Sequence, residues 1–374
     1  MSARFLIAAG GTGGHIQPAL AVAAELKAQL PSAQIDFVGG RRGIEKRLVP
    51  AAGFPLHRLP AAGLRGLGWL GAVRFSLHFG AALLLAVPLV LRLRPHAVLA
   101  TGGYASAAPA VAAALMGRPL WLQEQNAVPG ATNRFLSRFA ERAYVGFAEA
   151  KAALSRAGRV ELLPNPVRRE ILQARGRKPS AELYRRFSLR PARRTLLVFG
   201  GSRGARRLNE AVAAAFSEEG TGAGWQALVQ TGEEGYPTLR EVAERNQDLS
   251  ATPYIDDMAD AYVVADLVVC RAGAVTLAEL AAVGKPAILV PFPHATDDHQ
   301  MRNATAFAGK GGARVVPDAD FDGRRLTALL EEFQRTPATL ETMGEAAAKI
   351  AAGHNGAAEL AAALISRVEK GVHP

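Results

Sequence analysis

A single cysteine, Cys270, in 374 residues excludes a disulfide within the chain and fits a protein kept in a reducing compartment. Aromatic residues are sparse, at 6%, and no nucleic-acid-binding signature is present. Both argue against a chain that stacks bases or reads grooves. The longest apolar run, residues 79–91, has 13 residues and is interrupted by Pro88, too short to span a bilayer. Its default reading is a buried helix, with a helix lying on a surface as the alternative. The apolar stretch after Arg4 is too short for a signal peptide. No short repeat and no low-complexity tract is evident.

What is present points to two α/β domains. Nearly half the residues are apolar (49%), enough for two cores at this length. The formal charge of +11 is unevenly placed. Residues 1–163 hold 18 Lys/Arg against 7 Asp/Glu, whereas residues 164–374 hold 26 of each. A basic first half suits an anionic partner, whether nucleic acid, an acidic membrane surface or a phosphorylated substrate; a solvated Arg-rich surface is the plain alternative.

The chain is organised around residues 265–292. An apolar run ending at Cys270 reads as a buried strand, and 271–274 as a turn. Thr276 opens a helix with Glu279 three residues on, the spacing of a capping box. Gly284 and Pro286 end that helix before a second buried strand. In such a unit of a parallel sheet, ligands sit beyond the carboxyl ends of the strands, where Ala274, Thr276 and Glu279 fall. Glu279 is thus either a helix cap or a carboxylate for the paired hydroxyls of a nucleotide ribose.

Other segments repeat the layout. Residues 4–9 form a strand, followed by Gly10-Gly11-Thr12-Gly13-Gly14-His15 and a helix with Pro18 near its first turn. A glycine loop feeding a helix N-terminus binds phosphate. Ile16 occupies the third glycine position of a dinucleotide fingerprint, so Asp36 does not make this an NAD site. A second glycine loop, 101–106, follows the strand 97–100. The strand 120–122 ends in Gln123-Glu124-Gln125-Asn126, a polar crowd that suits a site or a structural amide network. Two prolines around Asn165 mark a domain change, and residues 196–205 repeat the strand and glycine loop of the N-terminus. Residues 63–79 interleave Leu64, Leu67, Trp69, Leu70, Phe75 and Phe79 with Arg65 and Arg74, a pattern of membrane interfaces or of ordinary core packing. His294, Asp297, Asp298 and His299 lack a metal-pair spacing and read better as a sugar-binding loop.

Seven motifs in order, GGTGGH (10–15), TGGYAS (101–106), EQN (124–126), NPVR (165–168), GGSRGA (200–205), GAVTLAE (273–279) and DDHQMRNA (297–304), resemble the MurG family across essentially the whole chain. That resemblance implies a GT-B glycosyltransferase: two Rossmann-like, doubly wound parallel-sheet domains facing a cleft. They are residues 1–163, joined by a C-terminal helix 353–374, and residues 164–352. It implies inverting transfer of N-acetylglucosamine from UDP-N-acetylglucosamine to lipid I, at the cytoplasmic face of the bacterial inner membrane. The enzyme is expected to be peripheral on an anionic surface, with no cofactor, no metal and no nucleic-acid partner.

By the same resemblance, Ile255 meets the uracil, Glu279 the ribose, Ser202 and Arg168 the diphosphate, and Gln300 the sugar, with Ala274, Val275 and Thr276 lining the donor pocket. Thr12, Gly13, Gly14 and Asn126 also close on the donor. Gly11, Gly102, Gly103, Tyr104 and Glu124 take the acceptor. His15 is the candidate base, since a histidine titrates near neutrality and the helix N-terminus favours its neutral form. Some members carry a histidine before EQN where this chain has Gln123, and paired glutamines where it has His299-Gln300. The alternatives are another GT-B enzyme, an epimerase or a glycolipid glycosyltransferase, and a nucleotide-binding protein without catalysis.

Overall fold

A computed structural model describes residues 2–60, 69–201, 204–217, 222–351 and 353–372. The chain divides into two compact units, Met1–Arg168 with Gly353–Pro374, and Arg169–Ala352.

The strands of the first unit are β1 (Arg4–Ala8), β2 (Gln34–Gly40), β3 (Leu56–Leu59), β4 (Ala97–Ala100), β5 (Leu120–Glu124), β6 (Arg142–Val145) and β7 (Arg159–Leu162). They form one sheet in the order β3-β2-β1-β4-β5-β6-β7, every pairing parallel. β4 and β5 are buried from end to end, and β1 at every position after Arg4. That is why they read as continuous apolar runs: helices cover both faces of the sheet. One face is packed by the helix Gly13–Gln29 and the C-terminal helix Gly356–Val372, whose Leu360, Ala361 and Leu364 meet Ile16, Ala19 and Val22 in a common core. Two polar contacts anchor the C-terminal helix: Gln29 donates to the Ala358 carbonyl at 3.0 Å, and Arg367 pairs with Glu141 at 2.9 Å. Pro18 lies inside the first helix, beyond its first turn.

The second unit repeats the plan with β8 (Thr195–Phe199), β9 (Gln226–Gln230), β10 (Leu249–Thr252), β11 (Leu267–Cys270), β12 (Ala287–Leu289) and β13 (Ala313–Val315). Their order is β10-β9-β8-β11-β12-β13, again wholly parallel. In both sheets the strand order reverses once, between β1 and β4 and between β8 and β11. A crevice opens at such a switch point, beyond the carboxyl ends of the two flanking strands. The segments following those four strands are 9–15, 101–106, 200–205 and 271–279, four of the seven motif regions.

Two readings of the sequence are corrected here. Residues 79–91 are neither a buried helix nor a short one: they belong to the helix Trp69–Leu93. Its stretch Ser76–Leu93 has mean hydropathy 1.8, is only 17% buried, and is long and apolar enough to cross a membrane by length and composition. The helix accommodates Pro88 and runs through polar residues at both ends, so the apolar run understated its length. The second correction concerns the helix after β11. It spans Ala274–Val283 with Gly273 as N-cap and no side-chain cap bond. Thr276 therefore lies within the first turn, and the capping-box reading of Thr276 and Glu279 does not hold.

Candidate functional site

In the first unit the two glycine loops interlock. Thr12 precedes the helix Gly13–Gln29, and its Oγ1 lies 3.0 Å from His15 Nδ1. Thr101 Oγ1 donates to the His15 carbonyl at 2.9 Å. A Cβ on Gly103 (φ +80°) would come within 2.0 Å of the Gly10 carbonyl oxygen, and one on Gly102 (φ +95°) within 3.0 Å of the His15 ring. Side chains at either position would force the loops apart and break the left-handed backbone that glycine alone adopts cheaply. The Tyr104 ring lies against Gly11. The structure thus brings Gly11, Thr12, His15, Gly102, Gly103 and Tyr104 together, with backbone N–H groups at a helix N-terminus where an anion is favoured.

A residue the sequence reading missed holds this loop. Glu45, 1% exposed, accepts from Gly40 N at 2.8 Å and from Gly11 N at 3.2 Å. Its carboxylate also fills the space that a Cβ on Gly10, Gly39 or Gly43 would need. The only signal in the sequence was that cluster of glycines around one acidic residue.

The polar end of β5 turns inward. Gln123, Glu124 and Gln125 are each 2% exposed. Gln123 donates to Asn165 Oδ1 and Asn165 donates to the Gln125 carbonyl, both at 2.8 Å, tying the 164–167 segment to the sheet. Glu124 accepts from Asn126 N (2.9 Å), Asn126 Nδ2 (3.3 Å), Gly130 N (3.1 Å) and Asn133 Nδ2 (2.8 Å). Burial pushes its carboxyl above the usual carboxylate range, against the pull of those hydrogen bonds. Both Glu124 oxygens are thus engaged within the first unit. Glu124 shapes the turn that carries Asn126, because a buried carboxylate at a strand end is satisfied by the backbone that folds over it.

In the second unit the loop after β8 is drawn in by β9. A Cβ on Gly204 (φ +73°) would meet the Thr231 carbonyl oxygen at 1.9 Å. Gln230, 4% exposed and also missed, donates to the Gly201 carbonyl at 3.0 Å and accepts from Ile255 N at 3.0 Å. One amide thereby couples the glycine loop to the 254–256 segment. Ser202 lies outside the described residues. After β11, Glu279 is 8% exposed, and its Oε2 accepts from the Tyr262 hydroxyl at 3.0 Å. Gln300 Oε1 accepts from Ala272 N at 3.1 Å and from Phe292 N at 3.0 Å, which fixes the amide so that its NH₂ end is the one presented. Ala274, Val275 and Thr276 form the first turn of the helix between Glu279 and Gly273. His299 bonds the Thr296 carbonyl at 2.7 Å. Cys270 is fully buried; burial, with the Glu279 charge nearby, pushes its thiol pKa up, leaving a packing residue rather than a nucleophile. Arg168 is the last residue of the first unit.

Of the expected membrane-facing residues, Leu64, Arg65 and Leu67 lie outside the described residues, as do the side chains of Trp69, Leu70, Arg74 and Phe75. Phe79 is half-buried against the core, inward of the exposed face. Leu77 (69% exposed), Leu84 (77%) and Leu91 (54%) form the outer stripe, spaced by seven residues on one helix.

Residues 5–145 match the glycosyltransferase family 28 N-terminal domain and residues 195–361 its C-terminal domain. A relative from Chromohalobacter salexigens, named UDP-N-acetylglucosamine–N-acetylmuramyl-(pentapeptide) pyrophosphoryl-undecaprenol N-acetylglucosamine transferase, is 43% identical, with 92% of each chain covered. A relative of the same name from Chlorobium limicola is 39% identical, over 92% of this chain and 94% of the other. Among solved structures, Acinetobacter baumannii MurG superposes with a TM-score of 0.71 at 27% identity, covering 97% of this chain and 99% of that one. A UDP-glucose:anthocyanidin 3-O-glucosyltransferase, at 14% identity and TM-score 0.68, shares the fold.

Proposed function

Because the chain belongs to glycosyltransferase family 28 and, within it, to the MurG family, we propose how its two loop clusters divide the work of one transfer. The enzyme moves N-acetylglucosamine from UDP-N-acetylglucosamine to the muramoyl sugar of undecaprenyl-diphosphate-linked N-acetylmuramoyl-pentapeptide, lipid I, giving lipid II for peptidoglycan synthesis. The observation that carries the division is the buried Glu279 carboxylate at the switch point of the second sheet, beside a glycine loop that opens a helix.

The second unit takes the donor. Glu279 accepts from the ribose hydroxyls, and the segment at Ile255 meets the uracil. The 200–205 loop and the N-terminus of the helix Arg206–Ala215 take the diphosphate. Gln300 donates its amide N–H to a sugar hydroxyl, because its oxygen is already committed to two backbone N–H groups. Ala274, Val275 and Thr276 line the same pocket. The first unit takes the acceptor diphosphate on the backbone N–H groups of the two glycine loops, with Asn126 beside the reacting sugars.

His15 acts as general base. In the tautomer with its proton on Nδ1, facing Thr12 Oγ1 3.0 Å away, the Nε2 lone pair takes the proton of the acceptor hydroxyl. The oxygen attacks the anomeric carbon opposite UDP and inverts it. The bond to the β-phosphate oxygen breaks, and the charge left on UDP is held by Arg168 and backbone N–H donors.

The enzyme works at the cytoplasmic face of the inner membrane as a peripheral protein. Leu77, Leu84 and Leu91 offer an apolar stripe while Ala82, Ala86 and Val90 anchor the opposite side of the same helix in the core. A helix held on one side by its own domain lies along a membrane surface instead of crossing it. The basic first half adds attraction for anionic lipid.

Incubation with UDP-N-acetylglucosamine and a short-chain lipid I analogue tests the reading, with disaccharide product and UDP expected in equal amounts. Isomerised donor with untouched acceptor would favour an epimerase instead.

A further inference from the structure

Tyr262 sits in the short helix Met258–Val264 and is fully buried. A tyrosine without exposure has its hydroxyl desolvated, and that hydroxyl needs a partner. Here it donates to Glu279 Oε2 at 3.0 Å. The ring packs edge-on to Phe199, with centroids 6.2 Å apart and planes at 76°. Phe199 is the last residue of β8, immediately before the glycine loop. The helix itself follows Ile255 closely and is capped by Asp257, whose side chain accepts from Asp260 N at 3.0 Å. One residue thus touches the strand end that launches the glycine loop and the carboxylate on the helix that follows the neighbouring strand.

We propose that Tyr262 is a positioning residue: its hydroxyl fixes the Glu279 carboxylate in the orientation that accepts from a ribose, and so sets a preference for ribonucleotide over 2′-deoxyribonucleotide donors. This rests on the ribose reading of Glu279. A carboxylate on a flexible glutamate has several rotamers. A neutral O–H donor selects one of them without neutralising the charge, as an arginine partner would. The hydroxyl assists recognition without touching the reacting atoms, so its loss changes donor affinity and discrimination while the rate at saturation holds.

The experiment compares wild type, Tyr262→Phe, Glu279→Gln and the double variant, using UDP-N-acetylglucosamine and its 2′-deoxyuridine analogue as donors. Tyr262→Phe removes one oxygen and keeps the ring, and a thermal melt confirms that each variant is folded. For Tyr262→Phe the expected result is a KM for the ribose donor raised about tenfold, the size of a lost hydrogen bond near 1.4 kcal/mol. Its kcat stays within about twofold, and KM for the deoxy donor barely moves. In the Glu279→Gln background the tyrosine change adds little, because the two residues act as one unit. If Glu279→Gln collapses the ribose preference and Tyr262→Phe preserves it, or if the two effects simply add, Tyr262 is a core residue and the proposal fails. If Glu279→Gln itself leaves the preference intact, the ribose reading of Glu279 fails and takes the proposal with it. Equilibrium titration with UDP and 2′-deoxy-UDP, at a temperature where all four proteins are folded, gives the same ratio without turnover.

Discussion

Replacing Glu45 with glutamine perturbs from behind the first glycine loop, which is proposed to take the acceptor. The carboxylate is 1% exposed and serves two backbone donors, Gly40 N on Oε1 and Gly11 N on Oε2. An amide of the same shape keeps one acceptor and turns an NH₂ group toward the other N–H. One charge-assisted bond is lost, worth about 1.5–3 kcal/mol, and one buried donor is left without a partner. The glycine packing leaves the new group little room to swing aside, since the Glu45 side chain lies 2.7 Å from where a Gly10 Cβ would stand and 2.8 Å from a Gly39 Cβ. A total of roughly 2–4 kcal/mol follows, which lowers Tm by about 5–15 °C for a domain of 150–250 residues. Gly11 shifts with its N–H, so KM for a lipid I analogue rises and kcat falls. UDP binding, which the proposed division of labour gives to the second unit, stays unchanged by titration calorimetry. An E45Q protein with wild-type Tm and acceptor kinetics would refute the reasoning, because it would mean that the loop holds its shape without this carboxylate.

Further outcomes follow from other parts of the structure. His15→Ala is expected to lower kcat on the order of 10²–10⁴-fold with donor binding retained. A pH–rate profile of unchanged shape would remove His15 from the base role. Leu77→Ser with Leu84→Ser, both on the exposed stripe, should reduce co-sedimentation with anionic vesicles in a salt-sensitive way and leave Tm unchanged; a depressed Tm with normal sedimentation would return the stripe to packing. Burial raises the Glu124 carboxyl above its unfolded value, so its contribution to stability is complete below the ordinary carboxylate range and is lost as pH rises through the folded value. The Tm advantage of wild type over Glu124→Gln should therefore narrow as pH rises from the ordinary carboxylate range, and a gap constant with pH would contradict that direction.

The switch-point loops were legible in the sequence because each sits where a buried apolar run stops and glycines begin. Such runs mark parallel strands, and the glycines mark the places where backbone must approach backbone, as at Gly103 against Gly10 and Gly204 against Thr231. Glu279 was visible as a chemically apt residue. Its local spacing pointed to a cap, though, and only the helix start at Ala274 removed that role.

The polar end of β5 shows the opposite failure. Four amide and acid side chains in a row look like a binding surface, yet Glu124 folds its own turn over itself and Gln123 reaches Asn165, 42 residues away. Whether a polar group faces a ligand or the interior depends on which backbone donors the fold brings to it, and local pattern carries no record of that.

By itself, then, the sequence determined the two doubly wound sheets and the four glycine-bearing strand ends, because periodicity and glycine placement are local properties, and its seven motifs in order carried the resemblance to the family. Only the tertiary structure decided the partners across sequence distance: Glu45 beneath Gly11 at 34 residues, Gln230 between Gly201 and Ile255, and Tyr262 on Glu279 at 17 residues. It also decided that the helix Trp69–Leu93 buries Ala82, Ala86 and Val90 while leaving Leu77, Leu84 and Leu91 outside. A helix with apolar residues all round can turn either face inward, and the choice belongs to the helix and sheet it packs against.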